Sequence, residues 1–163
     1  MATSTDRPFL YSEAERRRRD ASPWTLVQGV LAPLQFAVFL VSLALVSRTL
    51  ATGEGVALAN ASVVAKTLAL YAIMVTGSLW EKAVFGRYLF APAFYWEDVV
   101  SMLVLALHTA YLVALATGAL ATTGLMLLAL SAYATYLVNA GQFLLKLRAA
   151  RLQAPAYAMG AAR

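Results

Sequence analysis

The sequence contains no cysteine and only one histidine, His108, among its 163 residues. The lack of cysteine excludes disulfides, iron–sulfur clusters and haem held by a thiolate. A single histidine also excludes a haem held by two histidines of one chain and a histidine-rich di-iron site. The side chains left for catalysis are carboxylates, phenols and one imidazole.

Charged residues are scarce as well, at 13% of the sequence, whereas 61% of the residues are hydrophobic and the mean hydropathy is +0.69. A water-soluble domain of this length cannot bury so large an apolar fraction. The composition therefore predicts an integral membrane protein. Because the start of the chain is charged and the first apolar run is long, we expect no cleaved signal peptide.

Four apolar segments are each long enough to cross roughly 30 Å of hydrocarbon as a helix. They predict an all-α fold, an integral membrane bundle of four transmembrane helices. The spans lie at about 24–46, 62–79, 99–120 and 125–147. The predicted boundaries are a polar, basic N-terminal segment at 1–20, helical from Ser12, one membrane domain at 21–152 and a tail at 153–163.

The chain has a net charge of +5, and most of its basic residues lie in three places. Basic residues occur before the first span (Arg16 to Arg19), in the linker at 80–98 (Lys82 and Arg87) and after the last span. Basic loops mark the cytoplasmic side of a membrane protein, so both termini and this linker are predicted to be cytoplasmic. We assign the basic residues to this signal and not to nucleic-acid binding. Lys66 is placed near the outer end of the second span, where its ammonium group reaches the interface.

The linker at 80–98 is rich in aromatic residues, which make up seven of its 19 positions. One interpretation is a belt of aromatic rings at the lipid headgroups. The other is a lid or platform for a large flat ligand, because offset stacking favours such partners. Trp80 and Trp96, near the two ends of the linker, are candidate binding residues on the second interpretation.

Each span carries polar residues on one helical face, which should turn into the bundle. Counting from the cytoplasmic ends predicts two layers. The layer near the middle of the membrane contains Gln35, Tyr71, His108 and Asn139. The layer at the cytoplasmic mouth contains Gln28, Glu81, Glu97, Asp98 and Gln142. These groups either hydrogen-bond helix to helix, as is routine in membrane bundles, or serve a function.

His108 and the carboxylates each allow two interpretations. His108 is either a neutral imidazole bonded to a neighbouring helix, or a metal ligand or proton relay. Glu81, Glu97 and Asp98 lie at the ends of spans, where carboxylates commonly interact with helix N-termini. The residues alone do not choose between these interpretations.

Long stretches of the chain are similar to a known family. They are DASPWTLVQGVLAPLQF, LATGEG, YAIMVTGSLWEKAVFGRYLFAPAFYWEDVVSM, LALHTAYL and YATYLVNAGQFLLKLRAARL. In these stretches the chain resembles the 2-vinyl bacteriochlorophyllide hydratase family of bacteriochlorophyll biosynthesis. The resemblance extends from Tyr11 to Leu152.

The resemblance implies addition of water to the C3 vinyl group of chlorophyllide a or a bacteriochlorophyllide, which gives a 3-(1-hydroxyethyl) group. It implies no required cofactor, since hydration needs no redox metal or flavin and the substrate carries its own magnesium. The expected location is the cytoplasmic, photosynthetic membrane of a bacterium. The expected partners are the pigment and the lipid bilayer, with other enzymes of pigment biosynthesis and further copies of the chain left open.

For the reaction we predict Glu81 and Glu97 as an acid/base pair, supported by Asp98, with His108 as axial ligand to the substrate magnesium. The predicted substrate-binding residues are Gln35, Tyr71, Trp80, Trp96, Tyr111 and Asn139. Glu97 and His108 are eleven residues apart, roughly 16 Å along one helix, so only a large ligand reaches both. The alternative is that His108 or Tyr111 donates the proton.

This scheme requires polar faces that enclose an interior large enough for a flat pigment. A competing prediction is a non-catalytic membrane protein that binds or assembles pigment. A small transporter subunit is a weaker alternative, because the sequence shows no inverted repeat.

Overall fold

The computed structural model describes residues 9–160, with side chains for 9–153. Five helices and no strand occur in this part of the chain. They are α1 (Glu13–Ala21), α2 (Pro23–Thr52), α3 (Val56–Phe85), α4 (Tyr95–Thr117) and α5 (Thr122–Gly160). The last four are long and apolar enough to cross a membrane, which confirms the predicted all-α architecture. Residues 1–8 and 161–163 of the predicted terminal segments lie outside the described residues, and the cytoplasmic placement of the termini stays a prediction.

Glycines end three of the long helices. Gly53, Gly86 and Gly118 follow α2, α3 and α4 with φ angles of 75°, 83° and 64°. This left-handed conformation favours glycine and stops a helix. The connections after α2 and α4 are short, so α2–α3 and α4–α5 form two antiparallel hairpins that pack along their lengths.

The two hairpins are joined mainly through α2 and α5, whereas α3 and α4 contact each other less. The core between the helices is closely filled. Its largest fully buried side chains include Tyr111, Tyr133, Phe39, Lys66, Met126 and His108. The expected interior space for a flat pigment is therefore absent from the described bundle, and this expectation was wrong. An open groove of about 390 Å³ lies instead along α2 and α3, lined by apolar residues and Ser62.

The N-terminal segment folds back over one end of the bundle. Ser12 caps α1, because its hydroxyl accepts the Glu15 N–H at 3.3 Å while the Glu15 carboxylate accepts the Ser12 N–H at 2.7 Å. This confirms the predicted helix start. Tyr11 is buried and stacks on Phe85 at 5.8 Å between ring centroids. Arg18 Nε donates to the carbonyl of Val84 at 2.8 Å, so α1 is fixed to the end of α3.

Tyr11 gives a pH test of this docking. Burial raises the pKa of Tyr11 from 10.0 to about 12. Since the fold favours the neutral phenol, the contribution of Tyr11 is complete below about pH 10 and is lost as the pH rises through about 12. The tyrosinate absorbance of Tyr11→Phe, subtracted from that of the unmodified chain during alkaline titration, should show a midpoint near 12. A midpoint near 10 would show that the segment is undocked.

Candidate active site

Two carboxylic acids meet where α3 ends and α4 begins. Glu81 is 5% exposed and Asp98 is 3% exposed. Their carboxyl groups are close enough to interact directly. Two carboxyl groups that share a buried site cannot both be ionised without strong repulsion, so one of them holds a proton. The pair therefore holds a proton between a potential acid and a potential base.

The loop between α3 and α4 is built around this pair. The Phe90 N–H donates to Asp98 Oδ2 at 2.7 Å, and the Ala91 N–H donates to Glu81 Oε2 at 3.2 Å. Phe90 has a φ of 59°, the one positive value for a non-glycine residue in the described chain. A non-glycine residue in this conformation costs about 1 to 3 kcal/mol, so the surrounding structure must hold it there. The strain directs two successive N–H groups onto the two carboxyl groups.

Glu97 faces a different helix from its neighbour Asp98. Successive residues of an α-helix point about 100° apart. Lys146 Nζ on α5 donates to Glu97 Oε2 at 3.0 Å and also to the carbonyl of Ala93. The predicted pairing of Glu81 with Glu97 is therefore not the pairing in the structure, where Glu81 faces Asp98. Neither acid at the start of α4 caps the helix, because the cap is Phe94 and no side chain bonds there.

Asn139 lies at the level of Glu97 and does not share the depth of His108. Its Nδ2 donates to the carbonyl of Glu97 at 2.8 Å, and its Oδ1 accepts from Ser101 Oγ at 3.2 Å. The predicted middle layer is wrong for Asn139, because α5 continues past the predicted end of the fourth span. Both polar atoms of this amide are used to join α4 to α5.

The two tryptophans of the linker occupy different environments. Trp80 packs edge-on against Phe85 and Phe94, with centroids 5.8 and 5.6 Å away, and its Nε1 donates to Thr25 Oγ1 at 3.0 Å. Trp96 is 68% exposed and faces away from the bundle. Both interpretations of the linker stay predictions. Trp80 belongs to an aromatic cluster with Phe85 and Phe94, whereas Trp96 is exposed.

His108 is fully buried about ten residues beyond Asp98, roughly 15 Å along α4. Its Nδ1 lies 2.8 Å from the carbonyl of Val104 and must donate to it, since a carbonyl only accepts. In the neutral ring this leaves Nε2 with a lone pair, and Nε2 has no hydrogen-bond partner among the described residues. The ring nitrogen suits a metal ligand chemically. The imidazole packs against Tyr133, with ring centroids 5.8 Å apart.

The other predicted binding residues are dispersed along the helices. Gln35 is buried on α2. Tyr71 shares a hydrogen bond of 2.7 Å with Thr109, and Tyr111 donates to Asn60 at 2.7 Å. The last two bonds both join α3 to α4. The structure therefore brings Glu81 and Asp98 together, places Trp80 in the aromatic cluster with Phe85 and Phe94, and leaves Gln35, Tyr71 and Tyr111 in the deeper part of the bundle.

Lys66 is a second residue whose depth the sequence predicted wrongly. It is fully buried, and its Nζ lies 3.6 Å from the centroid of the Tyr136 ring. The predicted second span began at Ser62, but α3 begins at Val56, so Lys66 lies ten residues inside the helix. The glycines of the turn at 52–55 indicate that α3 begins directly after Gly55. Counting the span from Gly55 puts the lysine deep in the membrane.

The chain is similar to known proteins over most of its length. The sequence model of the family described as 2-vinyl bacteriochlorophyllide hydratase matches residues 11–149. The protein of that name from Rhodobacter capsulatus is 66% identical over 148 residues, which cover 91% of this chain and 86% of the relative. The protein of the same name from Cereibacter sphaeroides is 67% identical over 144 residues, covering 88% of this chain and 89% of the relative. No solved structure matches the chain.

Proposed function

Because the chain belongs to the 2-vinyl bacteriochlorophyllide hydratase family, we propose that Glu81 and Asp98 catalyse the hydration for which the family is named. The chain is a hydratase of bacteriochlorophyll biosynthesis, a hydro-lyase that acts on the vinyl group of a bacteriochlorophyllide. The observation that supports the catalytic assignment is the pair of buried, neighbouring carboxyl groups that the loop at 86–94 covers and bonds to.

The pair supplies both proton transfers of a hydration. The protonated carboxyl group gives its proton to the terminal carbon of the vinyl group, and the adjacent carbon becomes a cation that the macrocycle delocalises. The oxygen of a water molecule bonds to that carbon, and the carboxylate takes the proton that the water loses. One water has been added, and the pair regains its original protonation state.

The loop stabilises the negative charge wherever it lies on the pair. Hydrogen bonds from backbone N–H groups favour the charged form of a carboxyl group. Each of the two groups accepts one such bond, from Phe90 to Asp98 and from Ala91 to Glu81. These donors are fixed before reaction, so they need no reorganisation when the proton moves.

The cofactor, the ligand of the magnesium, the location and the partners are further parts of this proposal. The reaction requires no cofactor of the protein, and the magnesium belongs to the substrate. His108 Nε2 is the proposed axial ligand, reached when the helices separate. The proposed location is the cytoplasmic, photosynthetic membrane, with the basic linker at the cytoplasmic face. Other enzymes of pigment biosynthesis and further copies of the chain are the proposed protein partners.

Incubating the full-length protein in detergent with chlorophyllide a tests the proposed reaction. We expect a product that gains the mass of one water, and the new oxygen should carry the label when the solvent is H₂¹⁸O. The heat-treated protein is the control. Tight binding of the pigment without any gain of mass would indicate the non-catalytic pigment-binding protein and would contradict the proposed reaction.

A further inference from the structure

Lys66 is a lysine in the membrane bundle that the reaction above does not use. Its side chain is fully buried, and its Nζ makes no hydrogen bond within the described part of the chain. Its Nζ lies 3.6 Å from the centroid of the Tyr136 ring, in a cation–π contact. Ionisable residues inside membrane segments are costly and rare, so an unpartnered one points to a function.

The acids of the described chain do not pair with Lys66. Glu81 and Asp98 face each other, and Glu97 faces Lys146. Lys66 and His108 pack against the same turn of α5, because Lys66 Nζ contacts the Tyr136 ring and the His108 ring lies 5.8 Å from the Tyr133 ring. His108 Nε2 is also buried and without a hydrogen-bond partner among the described residues. Two neighbouring side chains thus present a donor and a lone pair that no described protein group satisfies. A buried polar group without a partner costs free energy, and this cost would be relieved by a ligand that bonds to it.

The distance from Lys66 Nζ to the carboxyl pair can be estimated from residues that fix the register of α4 and α5. Asn139 bonds to Ser101, three residues beyond Asp98. Tyr136, which Nζ contacts, lies three residues deeper than Asn139 on α5. Six residues of rise put the Tyr136 backbone about 9 Å deeper than Asp98, and the backbone of Lys66 lies fifteen residues, about 22 Å, from that of Glu81 on α3. The span between the ammonium group and the carboxyl pair lies between these two values, which is the scale of a tetrapyrrole macrocycle with its substituents.

The seam between α3 and α4 provides the route to Lys66. The contact between these helices is weaker than the contacts within the two hairpins. On the seam, the half-exposed Tyr71 bonds to the exposed Thr109, the residue next to His108. The hydrogen bonds Tyr71–Thr109 and Tyr111–Asn60 hold this seam closed, and we place the lateral path from the lipid to both unpartnered nitrogens along it. A pigment dissolved in the membrane would approach from this side.

Resting on the proposed function, we propose that Lys66 binds the pigment substrate by donating a hydrogen bond to an acceptor oxygen on the edge of the macrocycle that lies opposite the vinyl group. The acceptor is a ketone or carboxylate oxygen, both of which accept from an ammonium group. With the vinyl group at Glu81 and Asp98, this edge reaches the depth of Lys66. Lys66 thereby fixes which edge of the pigment faces the catalytic carboxyl groups.

Equilibrium binding of an analogue that cannot react tests this proposal. The probe is chlorophyllide a with its vinyl group reduced to ethyl, titrated by absorbance into the full-length protein in detergent. Lys66→Met should raise the Kd about tenfold or more, as expected for the loss of a hydrogen bond from a charged donor. Lys82→Met, which changes an exposed lysine of the same helix, should leave the Kd unchanged.

The methyl ester of the same analogue identifies the acceptor. If Lys66 binds the ketone, Lys66→Met weakens the binding of acid and ester equally. If it binds the carboxylate, the ester binds weakly to the unmodified protein and Lys66→Met changes its Kd no further. An unchanged Kd of the acid in Lys66→Met, or an equal loss in Lys82→Met, overturns the proposal.

Separate controls distinguish a loss of pigment binding from a loss of folding and from a loss of catalysis. Replacing a buried, unpartnered lysine by an apolar residue of similar length should not lower thermal stability. Lys66→Gln, which keeps a neutral donor, repeats the test if Lys66→Met fails to fold, and its Kd should rise by a smaller factor. Because the probe cannot be hydrated, its binding is measured even when chlorophyllide a gains no water, so failure of this proposal and failure of the proposed function give different results.

Discussion

Replacing Glu81 by glutamine is expected to lower kcat about a hundredfold or more, and Asp98→Asn is expected to do the same. Each change keeps the size of the side chain and the N–H bond from the loop, but removes one of the two groups that exchange the proton. Because the pigment is bound mainly by its ring, KM should change little. The measurement is the initial rate at which chlorophyllide a gains one water in detergent.

Two comparisons make this test specific. Glu54→Gln alters an exposed carboxylate in the connection between α2 and α3, whose ion pair with Arg48 is 3.7 Å long, and it should retain full activity. Since Glu81 and Asp98 act as one unit, the double variant should lose little more activity than either single variant. A multiplicative loss would show that the two residues act independently.

The alternative donors are tested by the same assay. Tyr111→Phe removes the phenol that donates to Asn60, and His108→Gln removes the imidazole. Neither residue lies near the loop that holds the carboxyl pair, so on our assignment neither change abolishes proton transfer. Full activity in Glu81→Gln together with a hundredfold loss in Tyr111→Phe or His108→Gln would move the catalytic acid into the deeper part of the bundle.

The sequence predicts the number of membrane helices because each apolar run must satisfy its backbone internally across the hydrocarbon. It also indicates the region of the candidate site, since Glu81 and Asp98 flank a linker that must return from α3 to α4. It does not predict which acids meet. Glu97 and Asp98 differ by one residue, about 100° of helix rotation, and the choice between them depends on how α4 turns against α3 and α5.

Depth within the membrane was harder to predict for a related reason. The predicted depths of Lys66 and Asn139 were both wrong, because α3 starts earlier and α5 ends later than the apolar runs suggest. Hydropathy locates the apolar part of a span, whereas the helix continues through polar residues until glycine or a cap stops it. The layer that a polar residue occupies therefore depends on where its helix begins and ends, and these boundaries are the part of a helix that a sequence predicts least well.

The packed interior has a physical cause that composition does not reveal. The polar stripes contain tyrosines whose rings occupy the space between helices while their hydroxyls bond across them. Tyr133 bonds to Ser42 at 2.5 Å and packs edge-on against Phe39, and Tyr111 reaches Asn60. Amphipathic side chains of this size satisfy the polar stripe and fill the core together. A substrate site in this bundle must therefore open at a seam.

The ion pair between Lys146 and Glu97 should be the most costly single interaction to break in the fold near the site. Lys146→Met leaves the Glu97 carboxylate, 8% exposed, without its cation and leaves the carbonyl of Ala93 without its donor. Breaking a fully buried pair costs about 3 to 5 kcal/mol. Because the Lys146 side chain is 27% exposed, we expect about 2 kcal/mol, which lowers the Tm by about 4 to 8 °C for a chain of this size.

The double change of Lys146→Met with Glu97→Gln separates this explanation from general damage to α5. Removing both charges leaves no uncompensated carboxylate, so the Tm should recover most of the loss. Arg148→Met, which removes an exposed cation one half-turn further along α5, should leave the Tm unchanged. Thermal unfolding in detergent, followed by circular dichroism, measures all three. A double variant as unstable as Lys146→Met would mean that the lysine stabilises the fold by packing on the Phe94 ring, 5.4 Å away, and not by pairing with Glu97.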